Sequence, residues 1–230
     1  MTISNLKYLN TYIVFFLTMI FCLASNSQNN QAFKSGEWFK YKISYSGWFK
    51  AGEALKIEVD GKSLKADKGQ MLIEVTDAND IYVPRFCYHK KLTVAANCRM
   101  CLVEVEKAPK PLPACATPVM DGMIVKTQSK VATDAQKSIM EFLLINHPLD
   151  CPICDQGGEC ELQDLAMGYG GDVSRYQEKK RVVKDKNIGS LIQTDLTRCI
   201  HCTRCVRFGE EVAGLREMGA TGRGENMEIG

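Results

Sequence analysis

The chain has 230 residues, of which 24% are charged and 45% are hydrophobic, and its formal net charge is +2. This length is sufficient for one or two domains with hydrophobic cores, and the small net charge argues against a polyanionic partner such as nucleic acid. Ten of the eleven cysteines lie between residues 87 and 205, in three tight groups. Cysteines separated by only two residues usually lie on one loop. Such pairs favour metal binding over disulfide cross-links.

The first 54 residues differ in sequence character from the cysteine-rich remainder of the chain and indicate a different function. Residues 1–30 are typical of a secretory leader, since Lys7 precedes an apolar stretch at 12–24 and small and polar residues follow it. That stretch is shorter than the roughly 20 residues that span a bilayer, and a buried strand or helix is the alternative. Residues 31–54 predict an aromatic hairpin. Export conflicts with oxygen-labile metal clusters, so we expect residues 1–54 to be foreign to the remainder.

Residues 55–128 predict an α+β domain. Strands are expected at 55–59 and 63–66 around an Asp60-Gly61 turn, and a helix is expected at 70–79. Further strands are expected at 102–106, around Cys115 and at 123–127. This order, with a cysteine loop after the helix, resembles the start of a plant-type ferredoxin, which has a β-grasp fold.

The first cysteine group supplies four thiols that predict a [2Fe–2S] centre: Cys87, Cys98, Cys101 and Cys115. The spacing between Cys87 and Cys98 is wider than the corresponding spacing in plant-type ferredoxins, so residues 88–97 are expected to form a longer loop beside the cluster. Residues 97–101 are expected to point backbone N–H groups at the sulfur atoms, and Arg99 to offset the negative charge of the cluster. A structural zinc site is the alternative.

The second group begins with a histidine and predicts a [4Fe–4S] centre held by His147, Cys151, Cys154 and Cys160, in a domain at 129–190. A helix over 129–146, ended by Pro148, would deliver these ligands, and Gly157 and Gly158 would let the chain fold tightly. A neutral histidine should raise the reduction potential. Zinc held by the same four side chains is the alternative. The basic run at 179–181 predicts a solvated face or a docking site for an acidic partner.

The third group is a C-x2-C-x2-C run, typical of [4Fe–4S] ferredoxins, formed by Cys199, Cys202 and Cys205 in a domain at 191–230. No cysteine follows it in this sequence, so the fourth ligand is absent and we expect a truncated site. A cluster with an open iron is the alternative. A helix is expected at 206–213, ending at Gly214, and His201 is expected to face away from the cluster.

Four segments together resemble one family closely: residues 84–89, 97–106, 146–164 and 197–212. Residues 55–230 resemble the N-terminal part of the large iron–sulfur subunit of NADH-quinone oxidoreductase, respiratory complex I. In that family a molybdopterin-type domain follows, so the resemblance implies a chain truncated before it. NAD-linked hydrogenases and formate dehydrogenases carry the same modules and are the second possibility, and a zinc-binding structural module is the third.

The resemblance implies that the chain relays single electrons from the flavin subunit toward quinone through one [2Fe–2S] and two [4Fe–4S] clusters, the last of them partial. The three ligand groups would be those given above. The implied partners are the flavin subunit and downstream iron–sulfur subunits, with no nucleic acid. The implied location is the cytoplasmic side of the inner membrane, in the peripheral arm, with only indirect membrane contact. We find no flavin site, dinucleotide loop or quinone pocket in the sequence, so the chain alone should not oxidise NADH.

Overall fold

A five-stranded mixed sheet forms the N-terminal part of the structure, a computed structural model that describes residues 54–230. The predicted leader and residues 31–53 of the aromatic segment lie outside the described residues. The strands are β1 (Leu55–Val59), β2 (Lys62–Ala66), β3 (Leu102–Val105), β4 (Leu112–Pro113) and β5 (Ile124–Lys126). Their order is β2-β1-β5-β3-β4, in which β1 and β5 are parallel and the other pairs antiparallel. This arrangement confirms the predicted β-grasp, α+β domain.

The turn between β1 and β2 is the one that the sequence predicts. Asp60 and Gly61 both have positive φ angles, 49° and 80°, as a two-residue hairpin of this kind requires. The Asp60 carboxylate accepts hydrogen bonds from the amide and hydroxyl of Thr127, at 2.7 and 2.6 Å. The turn therefore also fixes the chain just beyond β5, which keeps the parallel pair in register.

Helix α1 (Leu72–Asp77) packs its apolar side chains against the sheet to form the first hydrophobic core. That core includes Cys101 and Cys115. The chain between α1 and β3 has no regular secondary structure and carries three cysteines of the first group, Cys87, Cys98 and Cys101. The fold thus delivers the first group on two connecting segments, one before β3 and one after β4.

Two longer helices build a second core beside the sheet. Helix α2 (Lys130–Leu144) is capped by Ser129, whose hydroxyl accepts a hydrogen bond from the Ala132 amide at 3.2 Å. Helix α3 (Glu161–Tyr169) lies against α2. The second core contains these buried residues: Phe86, Cys87, Cys98, Met100, Met140, Leu162 and Leu165. This core joins the loop of the first cysteine group to the helices that carry the second group.

The C-terminal segment is mostly irregular. A 3₁₀ turn at Leu196–Arg198 precedes the third cysteine group, and helix α4 (Arg204–Phe208) continues as a π-helical turn at Gly209–Ala213. A small hairpin of β6 (Ala220–Thr221) and β7 (Glu228–Ile229) follows. Among residues 54–230, no helix is both long and apolar enough to cross a membrane.

Four predicted elements differ from the observed ones in type or by at least two residues. Helix α2 ends at Leu144, two residues before the predicted end at 146. Helix α1 covers only part of the predicted range 70–79. The Ala78 amide donates the last helical hydrogen bond, to the Glu74 carbonyl, and the Asn79 amide closes a turn by donating to the Thr76 carbonyl. Cys115 lies in a 3₁₀ turn, Ala114–Ala116, and not in a strand; Pro111 and Pro113 have no backbone N–H to extend the sheet. The last helix begins at Arg204, two residues before the predicted start.

Candidate iron–sulfur sites

The four thiols of the first group lie at the junction of the two cores. Cys87 and Cys98 belong to the second core, and Cys101 and Cys115 to the first. All four residues are buried, with exposed fractions of 0%, 8%, 1% and 0% in chain order. Thiols shielded from water by packed apolar side chains are suited to hold a cluster, since solvent access to such a site is part of what sets its properties.

Contacts among these thiols join Cys87 with Cys98, Cys101 with Cys115, and Cys87 with Cys115. Hydrogen bonds with Cys115 and Cys98 lower the pKa of Cys87 to about 2, and a hydrogen bond with Cys115 lowers the pKa of Cys101. The same contacts, together with burial, raise the pKa values of Cys98 and Cys115. Four thiols that converge in this way fit a centre with two iron atoms, in which each iron takes two thiolates.

Backbone amides point at the sulfur atoms, as predicted for this loop. The Cys87 amide lies 3.4 Å from Cys98 Sγ, and the backbone of Asn97 and Cys98 hydrogen bonds to the Cys87 thiol. Arg99 has a left-handed backbone, with φ 60°, and an exposed side chain. Amides directed at sulfur stabilise negative charge on it, so this loop is arranged to favour thiolates and a reduced cluster.

The second group lines a single cavity of about 670 Å³, whose wall includes His147, Cys151, Cys154 and Cys160. Phe86, Met140 and Leu162 contribute to the same wall from the second core. Cys151 lies in a 3₁₀ turn, Cys151–Ile153, and Cys160 immediately precedes α3. The structure therefore brings together all four predicted ligands of the second group around one space with an apolar side.

The imidazole of His147 is arranged as a metal ligand would be. Its Nδ1 atom is buried and has no hydrogen-bond partner. Burial and the nearby charge of Lys180 lower the pKa of His147, and the backbone of Arg198 partly opposes them. A buried polar atom without a partner is costly, and a neutral imidazole nitrogen is a common metal ligand. The donor set and its surroundings fit the predicted histidine-ligated cluster.

Gly157 shows why the second loop needs a glycine at this position. A Cβ atom at this position would lie 2.7 Å from the carbonyl oxygen of Cys151 and 3.1 Å from that of Cys154. The Gly157 amide also donates a 2.9 Å hydrogen bond to the Cys154 carbonyl. Only a residue without a side chain allows this close approach, so the glycine shapes the loop that carries both cysteines.

The third group brings three thiols close together at the start of α4. Cys199 and Cys202 are half-buried, Cys205 is exposed, and the His201 amide lies 3.4 Å from Cys199 Sγ. Burial raises the pKa of Cys199, and the neighbouring thiols of Cys202 and Cys205 act in the same direction. The imidazole of His201 contacts Arg181 at 2.9 Å. The expectation that His201 faces away from the cluster stays a prediction.

Within residues 54–230, no three histidine, cysteine or acidic side chains are grouped around one point as ligands of a single metal ion. The thiols of the first group instead form a chain of contacts in the order Cys98, Cys87, Cys115 and Cys101. The second group surrounds a volume much larger than one ion. Both arrangements are compatible with multi-iron clusters, whose iron atoms each need only one or two protein ligands.

Sequence reasoning missed four basic side chains that hold the cysteine loops in place. Lys180 binds the C-terminal end of α2, and Arg181 contacts His201. Arg198 forms ion pairs with Asp150 (3.4 Å) and Asp195 (3.0 Å). Arg207 binds the loop that carries the first cysteine group. Lys180 and Arg181 belong to the basic run that predicted a solvated face. Spacing gives no signal for contacts of this kind, because their partners lie up to 120 residues away.

Three protein-family models match successive parts of the chain. Residues 52–130 match a 2Fe-2S iron-sulfur cluster binding domain, and residues 136–175 match the NADH-ubiquinone oxidoreductase-G iron-sulfur binding region. Residues 189–230 match the ferredoxin-like domain of NADH-quinone oxidoreductase subunit 3. These matches confirm the predicted [2Fe–2S] and [4Fe–4S] cofactors, and they favour iron–sulfur over zinc.

Curated relatives are similar over three-quarters of the chain. The mitochondrial NADH-ubiquinone oxidoreductase 78 kDa subunit of Neurospora crassa is 56% identical over 178 residues, which are 76% of this chain and 24% of that protein. The NADH-ubiquinone oxidoreductase 75 kDa subunit of Reclinomonas americana is 57% identical over 175 residues, 76% of this chain and 25% of that protein. The mitochondrial NADH dehydrogenase [ubiquinone] iron-sulfur protein 1 of Solanum tuberosum is 54% identical over 178 residues, 77% of this chain and 24% of that protein. The chain therefore spans about a quarter of the length of these relatives.

A solved structure is similar in fold. A chain in the crystal structure of the NAD+-reducing [NiFe]-hydrogenase in the H2-reduced state superimposes with a TM-score of 0.71 and 26% identity, over 77% of this chain and 74% of that chain. The identity is lower than the 54–57% found for the three curated relatives. Residues 55–230 thus resemble the N-terminal iron–sulfur region of the large subunit of NADH-quinone oxidoreductase, as their motifs predicted.

Proposed function

We propose that this chain acts as an electron-transfer iron–sulfur subunit, or part of one, of an NADH:quinone oxidoreductase. It would relay single electrons from a flavin subunit toward quinone and would not oxidise NADH alone. The observation that carries the proposal is the 670 Å³ cavity, whose wall brings His147 together with three cysteines. The buried Nδ1 atom of His147 without a hydrogen-bond partner adds to it, because a structural histidine would normally be satisfied.

The proposed ligands are those of the three groups. A [2Fe–2S] centre would take Cys87, Cys98, Cys101 and Cys115. One [4Fe–4S] centre would take His147, Cys151, Cys154 and Cys160, and the other would take Cys199, Cys202 and Cys205. Clusters of these types accept and release single electrons when bound, at potentials set by net charge, hydrogen bonds to sulfur and solvent exposure.

The protein's own part is to set these properties. Burial of the first group excludes water, while amides of the 97–101 segment offset negative charge on sulfur. His147 is a neutral ligand in place of a thiolate, which favours the reduced state of the second centre. The proposed functional regions are 55–128, 129–190 and 191–230, one for each group, while residues 1–54 contribute no ligand.

The proposed partners are other subunits of the same complex, a flavin subunit on one side and further iron–sulfur subunits on the other. Two of the relatives named above are themselves called subunits, which supports assembly into a larger complex. The proposed location is the peripheral arm on the cytoplasmic side of the membrane. An NAD-linked hydrogenase is the second candidate, since a chain of such an enzyme shares the fold at a TM-score of 0.71.

The test is anaerobic reconstitution of the full chain with iron and sulfide, followed by metal and sulfide analysis and low-temperature EPR after dithionite reduction. We expect a [2Fe–2S] signal together with a [4Fe–4S] signal. In Cys154→Ala the [4Fe–4S] signal of the second site should disappear while the [2Fe–2S] signal persists, because the two groups occupy separate sites. Cys22→Ala is the matched control, since Cys22 lies outside the three groups.

Each outcome decides between the hypotheses. Loss of the [2Fe–2S] signal in Cys154→Ala would contradict separate sites, and any loss in Cys22→Ala would contradict the ligand assignment. An EPR-silent chain that contains stoichiometric zinc would establish the structural metal module instead. To separate the two oxidoreductase candidates, the loaded chain is mixed with the remaining subunits of each enzyme, and restored quinone reduction or hydrogen-dependent NAD reduction identifies the complex.

A further inference from the structure

Arg207 is the only charged residue among the buried residues in the described part of the chain, with an exposed fraction of 9%. It lies in α4, two residues after the last cysteine of the third group. Arginine is rarely buried without a compensating partner, because its charge loses the solvation of water. The surroundings of this side chain therefore need an explanation.

The guanidinium group joins the first and third cysteine groups. It donates hydrogen bonds to the backbone carbonyl of Cys87, to that of Cys202 at 3.3 Å and to that of Thr93 at 2.6 Å. Its Nε atom lies 3.4 Å from the hydroxyl of Thr203. One side chain thus holds a ligand residue of the first site, a ligand residue of the third site, and the loop between Cys87 and Cys98.

That loop, residues 88–97, is held by further contacts against the chain that carries the third cysteine group. The carboxylate of Glu211 accepts hydrogen bonds from both the amide (2.8 Å) and the hydroxyl of Thr93. The side-chain amide of Asn97 donates to the carbonyl of His201 at 3.1 Å. The wide spacing between Cys87 and Cys98 consequently has a structural role, because residues of this loop contact α4 and the chain on either side of it.

None of the ion pairs found within residues 54–230 includes Arg207. Its hydrogen-bond partners are carbonyl and hydroxyl oxygens, which supply partial charges only. The carboxylate of Glu211, which binds Thr93, is near enough for the charge of Arg207 to lower the pKa of Glu211, but it makes no ion pair with Arg207. A buried cation of this kind interacts more strongly with nearby net charge than an exposed one does, because screening by water is weaker. The thiolates of the first group, which begins at Cys87, would supply such a negative charge.

We propose that Arg207 is a positioning residue that fixes the loop of the first cluster site, residues 88–97, to the chain around the third cysteine group. Arg207 also supplies positive charge to the first site. This inference rests on the proposed function for its electrostatic part, since it assumes a cluster held by Cys87 and its partners. The loop contact rests on the structure of the chain alone. The two parts are tested by different measurements.

The test compares Arg207→Gln and Arg207→Lys in the full chain, reconstituted as above. A positive charge beside the first site stabilises the reduced, more negative cluster, so Arg207→Gln should lower its midpoint potential. We expect the ratio of reduced to oxidised cluster at a fixed ambient potential to fall about tenfold, which is about 59 mV for a one-electron couple. Arg207→Lys keeps the charge and should retain most of the potential.

Amide hydrogen exchange measures how firmly Arg207 holds the loop 88–97. Lysine cannot reproduce the planar fork that binds several carbonyls at once, so amides of residues 88–97 should exchange several-fold faster in both variants. Arg216→Gln is the control, because it removes the same charge from an exposed side chain that pairs with Glu210. It should change neither the potential nor the exchange.

The outcomes separate this inference from the proposed function. An unchanged potential in Arg207→Gln would overturn the electrostatic role, and unchanged exchange in both variants would overturn the positional role. If the unmutated chain takes up no iron or sulfide, the proposed function fails and the electrostatic role fails with it. Exchange measured on the metal-free chain would still decide whether Arg207 holds the loop.

Discussion

The ammonium group of Lys180 lies 2.8 Å from the backbone carbonyl oxygen of Leu144, at the C-terminal end of α2. It also donates to the carbonyl of Ile145 at 3.0 Å. The Leu144 carbonyl also accepts a 3.2 Å hydrogen bond from the His147 amide. A cation is favourable at the C-terminal end of the helix dipole. Because His147 follows three residues later, Lys180 supports the start of the second site.

Replacement of Lys180 by methionine should therefore loosen the second site. We expect the free energy of unfolding to fall by about 1 kcal/mol, the usual scale for a helix-end cation with hydrogen bonds to it. Iron should also leave the second site faster in the presence of a chelator, measured as the decay of the [4Fe–4S] EPR signal. Lys179→Met, at the adjacent exposed position, should leave both quantities unchanged. Equal effects of the two substitutions would show that general charge, and not this contact, is responsible.

His147→Cys should retain the second cluster but lower its reduction potential. A thiolate adds a negative charge where the imidazole is neutral, which favours the oxidised state. Redox titration followed by EPR measures the change, which we expect to exceed the roughly 59 mV that corresponds to a tenfold change in the redox ratio. His89→Cys, on an exposed residue, is the control. A potential unchanged in His147→Cys would mean that His147 is not a ligand.

Gly157→Ala should abolish loading of the second site and spare the first. The new Cβ atom would meet two backbone carbonyl oxygens at 2.7 and 3.1 Å, and backbone atoms cannot rotate away as a flexible side chain can. We expect a cost of about 1–3 kcal/mol, typical of overpacking. Gly168→Ala is a matched control within α3, where a Cβ atom meets nothing within 4 Å. The iron content of the two variants gives the answer, and full loading of Gly157→Ala would show that the loop can relax.

Arg85→Lys should destabilise the first domain. The guanidinium group makes two hydrogen bonds of 2.6 Å with Asp77 and lies 5.5 and 5.7 Å from the ring centres of Tyr82 and Tyr88. Lysine reproduces neither the paired hydrogen bonds nor the stacking, so we expect a loss of about 1–2 kcal/mol in urea unfolding. Lys130→Met removes a solvent-exposed ion pair and should cost no more than about 0.5 kcal/mol. Similar losses in both variants would contradict a special role for Arg85.

Local sequence signals predicted the elements that depend on local interactions. The Asp60-Gly61 pair specified a hairpin turn because few other residues accept two successive positive φ angles. Ser129 marked the start of α2 because its hydroxyl caps the helix. The cysteine spacing predicted which thiols would come together, since each group lies within one or two loops.

Contacts between distant segments could not be predicted in the same way. Lys180 and Arg181 belong to a basic run that resembles any solvated surface. Lys180 nevertheless binds carbonyls 35 and 36 positions earlier in the chain. Arg181 contacts residues 20 and 44 positions later. Arg207 reaches Cys87 across 120 positions. Which carbonyls a long cationic side chain binds depends on packing of the whole domain, and no periodicity or spacing in one sequence encodes it.

The parallel pairing of β1 with β5 has a consequence for biogenesis. Val59 is paired with Val125, 66 positions later, so the sheet cannot close until β5 has left the ribosome. At typical rates of synthesis that interval is roughly 3 to 13 s. All four cysteines of the first group emerge within it, before the packing that buries them exists. Newly made chains thus present these thiols to assembly factors, and to oxidants, before the fold shelters them.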